Sequence, residues 1–134
     1  LRHWAESSHQ VIYVPPNDQI PQYMACMDVL VLPSYREGFG MVIIEAGAMG
    51  VPAIGSNVPG PVDAIRHEQT GLVIPVKDAN ALADALKDLL NDPSKRARYG
   101  AAAVQWVRDN FEREKFLKHV IAHKEQLLAG EKQP

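Results

Sequence analysis

The sequence predicts an α/β fold: a doubly wound parallel sheet followed by a helical C-terminal extension. Three observations carry this. Short apolar runs at residues 11–14, 29–32, 52–56 and 71–75 alternate with segments of helical period. Those runs are apolar on successive residues, as strands buried on both faces are, and such strands form parallel sheets covered by helices. From Ser94 onward only the helical period remains.

In order along the chain, Val11-Ile12-Tyr13-Val14 is a β-branched and aromatic run ended by Pro15-Pro16, hence a strand. Asn17 or Asp18 can cap a helix through about Met27, with Ile20, Tyr23, Met24 and Met27 on one face. Val29-Leu30-Val31-Leu32 is a fully buried strand stopped by Pro33. A polar, glycine-containing turn then leads into a helix from about Met41 to Met49, closed by Gly50 and Pro52. Pro52-Ala53-Ile54-Gly55-Ser56 is the third strand, residues 57–61 a loop, Asp63-Ala64-Ile65 one turn of helix, and residues 71–75 the fourth strand. Asp78 caps an amphipathic helix with Leu82, Ala85, Leu86, Leu89 and Leu90 on its apolar side, broken at Asn91-Asp92-Pro93. Two helices hinged near Asn110, with Phe111 stapling the junction, fill Ser94 to about Leu128. The expected organisation is a partial doubly wound α/β unit over residues 1–93 and a helical extension of the same domain over residues 94–134.

Bulk properties exclude more than they assign. The chain has 134 residues, 46% hydrophobic and 22% charged, as one soluble globular domain would. A net charge of −2 gives no electrostatic case for nucleic acid or an acidic membrane surface. The one cysteine, Cys26, cannot form an internal disulfide and reads as a small buried side chain in a reducing, cytoplasmic setting. No apolar run reaches the ~18–20 residues that span a bilayer. The first residues lack a signal-peptide layout and an initiating Met, so the chain is expected to begin inside a longer protein. His119 and His123 share a helical face but lack a third ligand, and read as surface histidines. Trp4 and Trp106 read as packing residues, and Lys95-Arg96-x-Arg98 as a solvated helix face.

The chemistry concentrates in residues 33–50. In a doubly wound sheet, ligands bind beyond the carboxyl ends of the strands. Gly38 and Gly40 allow close backbone approach and unusual φ values. The amides near Phe39, Gly40, Met41 and Val42, with the positive helix end, form an anion site that suits a phosphate or diphosphate. Glu45 lies roughly 6–7 Å along the helix from Met41 at about 1.5 Å per residue, where the ribose of such a nucleotide would fall. A carboxylate accepts both ribose hydroxyls, and Glu37 on the other side of the phosphate would face a sugar. On the residues alone an alternative stands beside this: Glu37 favouring the helix dipole and Glu45 simply solvated.

The pattern Pro33-Ser34-x-x-Glu37-Gly38-Phe39-Gly40, with Glu45-Ala46 and then Gly50-Val51-Pro52, resembles the glutamate–seven residues–glutamate signature of retaining glycosyltransferases of family 4. The similarity runs from about Ile12 to Phe116 and takes in Asp28-Val29-Leu30-Val31-Leu32-Pro33-Ser34, Thr70-Gly71-Leu72-Val73-Ile74-Pro75, Asp78 with Leu82-Ala83, and Leu89-Leu90-x-Asp92-Pro93. It implies a GT-B enzyme with two Rossmann-like domains facing across a cleft, of which this chain is a partial C-terminal one. It implies that Glu37, the candidate catalytic residue, contacts the donor sugar. The amides of Phe39, Gly40 and Met41 would contact the diphosphate and Glu45 the ribose. Ser34, Gly38 and Val42, with Gly60 from the following loop, complete the implied donor-binding set. No metal is needed in this fold family, and the expected donor is a nucleoside-diphospho-sugar, a UDP-sugar foremost. The stretch from Tyr35 to Gly50 is similar to bacterial surface-polysaccharide transferases, many of which use lipid-linked acceptors, so a glycan or lipid-linked acceptor is implied.

Two departures bear on this. The family's Gly-Gly-x-x-Glu loop reads Pro59-Gly60-Pro61-Val62-Asp63, where the prolines lack N–H donors and Asp63 is either a donor contact or an ordinary helix cap. Gly47 stands where a larger residue is usual, read as close helix packing. The family's preceding strand–helix units, with an Arg and a Lys for the phosphates, and its acceptor domain are not among these residues. The expectation is therefore one part of an enzyme, weakly binding and inactive alone, cytoplasmic or peripheral on the inner membrane face, with self-association through an incomplete sheet. The strands at 11–14 and 29–32 are expected either to pair directly or to have the gap between them filled by another chain. Two rival functions remain: a sugar-nucleotide epimerase of the same fold, and a non-catalytic nucleotide-sugar-binding module.

Overall fold

The computed structural model describes residues 10–16 and 19–111. Its elements are α1 (Ile20–Ala25), β1 (Leu30–Leu32), α2 (Met41–Ala48), β2 (Ala53–Ser56), α3 (Pro61–Ala64), β3 (Gly71–Ile74), α4 (Ala79–Asn91) and α5 (Pro93–Asn110). The strands form one parallel three-stranded sheet in the order β1-β2-β3, with Leu30 opposite Ala53 and Ala53 opposite Gly71.

Both faces of the sheet are covered, which is why the strands are apolar on successive residues, with Ser56 at the end of β2 as the buried polar exception. On one face Leu30, Leu32, Ala53 and Val73 meet Met24 of α1, Ile43, Ile44 and Ala46 of α2, and Ala64 of α3. On the other, Val31, Ile54, Leu72 and Ile74 meet Ala85 and Leu89 of α4 and Tyr99 of α5. The last helix serves both cores. It starts on the second face at Tyr99 and ends on the first, where Val107 packs and Phe111 follows.

Close approaches fix α5 against α2. Gly47 is buried, and a Cβ there would come within 3.1 Å of Val107 Cγ2 and 3.5 Å of Ala103 Cβ, which accounts for its small size in a helix interior. A Cβ on Gly100 would overlap the Gly50 carbonyl oxygen. Gly50 itself has φ 76°, the left-handed conformation that ends α2.

The helix boundaries follow capping chemistry. Asp78 Oδ1 accepts from Ala81 N at 2.9 Å and starts α4. Asp92 Oδ1 accepts from Lys95 N at 2.9 Å, and Pro93 opens α5, as proline does at a first helical position. Asp78→Ala is expected to lower stability by about 1 kcal/mol. Urea denaturation with an unchanged midpoint would show the cap to be idle.

Several expectations are corrected. Residues 11–14 form no strand and do not pair with β1. Ile12 is 84% exposed, so it buries too little surface for its β propensity, which arises from packing, to count. Of the proposed α1 face only Met24 is buried, because a six-residue helix brings one side chain to the sheet. Cys26, at the C-cap of that helix, is exposed rather than buried. Leu90 is exposed too, one step past the stripe formed by Leu82, Ala85, Leu86 and Leu89. Arg96 is not on a solvated face: its Nη1 donates to the Leu89 and Leu90 carbonyls at 2.8 Å each, closing α4, and its Nη2 lies 3.3 Å from Asp28 Oδ1. Asn17, Asp18, Trp4, His119, His123 and the second C-terminal helix lie outside the described residues.

Candidate functional site

Because the strands are parallel, Leu32, Ser56 and Ile74 end at one edge of the sheet, and three loops leave there side by side. The first is the turn at residues 33–40. Its last residue, Gly40, is the N-cap of α2 with φ 73° and ψ 43°, a conformation that strains any side-chain-bearing residue. The Gly40 carbonyl accepts from Ile43 N at 2.8 Å, which closes the first helical turn. Among the described residues the amides of Phe39, Gly40, Met41 and Val42 meet no acceptor, and α2 has no acidic residue in its first turn. No side-chain charge in the first turn offsets the positive end of the helix, and such helix ends are favourable places for anions in general.

Glu37 is exposed and already oriented. Its Oε2 accepts from Ser34 Oγ at 3.2 Å and its Oε1 from Gly38 N at 3.1 Å. Glu45 is exposed one turn into α2, and among the described residues its carboxylate has no hydrogen-bond or ion-pair partner. Both carboxylates therefore stand at the same helix start as the open amides, one before it and one along it.

The second loop carries Gly60, the N-cap of α3, at φ 93° and ψ −75°. A Cβ there would collide with the Gly38 carbonyl, so the two loops touch backbone to backbone. The Gly60 amide donates to Asp63 Oδ2 at 3.3 Å, which makes the Asp63 carboxylate a helix cap. The Gly60 N–H is thus engaged within its own helix start, and the residue's structural mark is its close backbone approach to Gly38.

Two features went unread in the sequence. Phe39 rests edge-on against Phe111 (centroids 5.5 Å apart), and Phe111 against Trp106 (5.8 Å), so the turn is buttressed by the end of α5. Trp106 is thus a packing residue, as its sequence context implied, and Phe111 grips the turn as well as the helix end. Lys77 has φ 60°, and its Nζ lies 5.5 Å from the Tyr35 ring centroid. Tyr35, Lys77, Ser56, Ile74 and Asp78 border a cleft of about 250 Å³ at the same sheet edge. Nothing local marks a lysine for a left-handed backbone, so the sequence carries no signal for this pair. No helix among the described residues is long and apolar enough to cross a membrane.

A parallel sheet with helices on both faces and a helix start at its carboxyl edge is a doubly wound α/β architecture, and the solved structures that share it are GT-B glycosyltransferases. Sucrose-phosphate synthase from Thermosynechococcus elongatus superposes with a TM-score of 0.86 at 33% identity, over 97% of this chain and 34% of that one. Anabaena Alr3699/HepE, solved in complex with UDP-glucose, shares the fold with a TM-score of 0.81 at 22% identity, over 89% of this chain and 33% of that one. The sequence pattern of the family described as glycosyl transferases group 1 matches residues 3–106, and the chain belongs to that family. Among relatives, N-acetyl-alpha-D-glucosaminyl L-malate synthase of Bacillus anthracis is 34% identical over 108 residues, 81% of this chain and 28% of that protein. The chain thus spans about a quarter to a third of the length of the relatives it matches.

Proposed function

We propose that this chain is the donor-binding part of a retaining glycosyltransferase. The enzyme would pass a hexose or N-acetylhexosamine from a nucleoside-diphospho-sugar, a UDP-sugar foremost, to a glycan or lipid-linked acceptor. The observation that carries this is the set of open amides at the start of α2 with Glu37 and Glu45 on either side. Diphosphate oxygens would accept from the amides of Phe39, Gly40, Met41 and Val42. As the bond to the sugar breaks, negative charge builds on the leaving phosphate, and preorganised amides favour that state without reorganising. Glu45 would accept from the ribose hydroxyls. Glu37, held by Ser34 and Gly38, would accept from the sugar hydroxyls and keep the sugar oriented. The UDP-glucose bound by HepE and the sugar-transferring relatives support the donor class.

The same proposal places the enzyme in the cytoplasm, at the inner membrane face where the acceptor is lipid-linked, and needs no metal. It treats residues 1–93 as the nucleotide-sugar unit and 94–134 as its helical extension. The outer edge of β1 would let the isolated chain self-associate; light scattering that found a monomer at every concentration would remove that element.

Calorimetry tests the site. Glu45→Ala is expected to weaken UDP binding about tenfold or more, the loss of hydrogen bonds to a charged acceptor. Glu37→Ala is expected to leave UDP binding intact and to erase the difference between UDP-sugar and UDP. Both variants binding like the parent chain would sink the assignment.

A further inference from the structure

The turn at Gly38–Gly40 is enclosed by a closed ring of contacts that runs through the far end of the chain. On one side Phe39 leans on Phe111, and Phe111 on Trp106, at 5.5 and 5.8 Å between centroids. On the other side the Trp106 indole Nε1 donates to the Ala64 carbonyl at 3.1 Å. Ala64 is the last residue of α3, whose N-cap, Gly60, lies against the Gly38 carbonyl. The Arg66 guanidinium lies 4.1 Å over the Trp106 ring and holds it in this plane. Trp106 therefore meets the turn by two independent routes, one aromatic and one through the backbone of α3.

We infer that Trp106 is a positioning residue for the phosphate turn, setting the Gly38–Gly40 backbone through Phe111–Phe39 and through Ala64–Gly60. It touches no donor atom itself. Its effect falls on the amides that meet the diphosphate, and on this point the inference rests on the function proposed above. A packing residue with only a structural role would lower the stability of the whole sheet. A positioning residue loosens one turn while β2 and β3 stay rigid.

Two variants of the 134-residue chain test this. Trp106→Phe keeps an aromatic ring but removes the indole N–H, and Phe111→Leu breaks the aromatic route alone. Backbone NMR order parameters at Gly38 and Gly40 are expected to fall below about 0.6 while those of β2 and β3 remain near about 0.85. UDP affinity is expected to drop about fivefold with uridine affinity unchanged, because only the phosphates meet the turn. Order parameters at Gly38 and Gly40 that stay at parent values in both variants overturn the inference, whatever the affinities do. If the parent chain binds no UDP, the proposed function falls by that result, and the order parameters alone decide whether Trp106 sets the turn.

Discussion

Gly60→Ala is expected to cut UDP affinity at least tenfold while leaving the sheet folded. Two constraints meet at this residue. Its φ of 93° with ψ −75° lies where L side chains are strained, typically by about 1–3 kcal/mol. The added Cβ would also enter the space of the Gly38 carbonyl. One of the two backbones must move, and the turn is the one that yields: Gly38 and Phe39 are exposed, whereas Gly60 is followed by the buried Pro61 and Ala64. Movement of Gly38 carries the Phe39 and Gly40 amides with it, which under the proposed function would misalign the groups offered to a diphosphate. Calorimetry with UDP, alongside far-UV circular dichroism, reads both halves. Full affinity in a folded variant would mean that the contact between loops does not set the amides.

Gly100→Ala is expected to act on the fold itself, with a stability loss of about 3 kcal/mol or more, at the upper end for overpacking. The Cβ would overlap the Gly50 carbonyl oxygen, and Gly50 has little room to yield. Its left-handed φ of 76° ends α2, and its amide donates to the Gly47 carbonyl at 3.0 Å. Relief therefore requires α5 to lift away from α2, which opens the Gly47–Ala103–Val107 seam and the Tyr99 contact together. Urea unfolding should show a lower midpoint with the slope unchanged. A midpoint equal to that of the parent would mean that α5 can slide at no cost.

How far the sequence could be read depended on whether the deciding physics was local. Continuous apolar runs at 29–32, 52–56 and 71–75 needed only their own composition to be strands, and all three are. Asp78 as a cap and Gly50 as a helix end are decided by side-chain chemistry and φ within a few residues. The turn at 33–40 was legible for the same reason: strand, glycines and helix start are contiguous there. What failed was decided at a distance. Val11–Val14 has strand composition, but Ile12 stands 84% exposed instead of packed in a sheet. Arg96 looked like one of a charged trio, and only the docking of α4 and α5 brings the Leu89 and Leu90 carbonyls to its guanidinium. Composition alone sends Cys26 to the interior, where cysteine usually goes, yet the helix beside it is too short to carry it in.

The helix that visits both cores has a consequence for biosynthesis. Chains emerge from the ribosome amino end first, and domains complete when their last contacts arrive. The sheet and the open amides of α2 precede α5 in the chain, but Phe39 gains its support only when Trp106 and Phe111 have been made. During synthesis the nascent chain thus passes through an interval in which the strands exist and the turn before α2 is unsupported. Binding competence would arrive late, within the last turn of one helix, and a chain stalled just before that turn would carry the motif without the geometry.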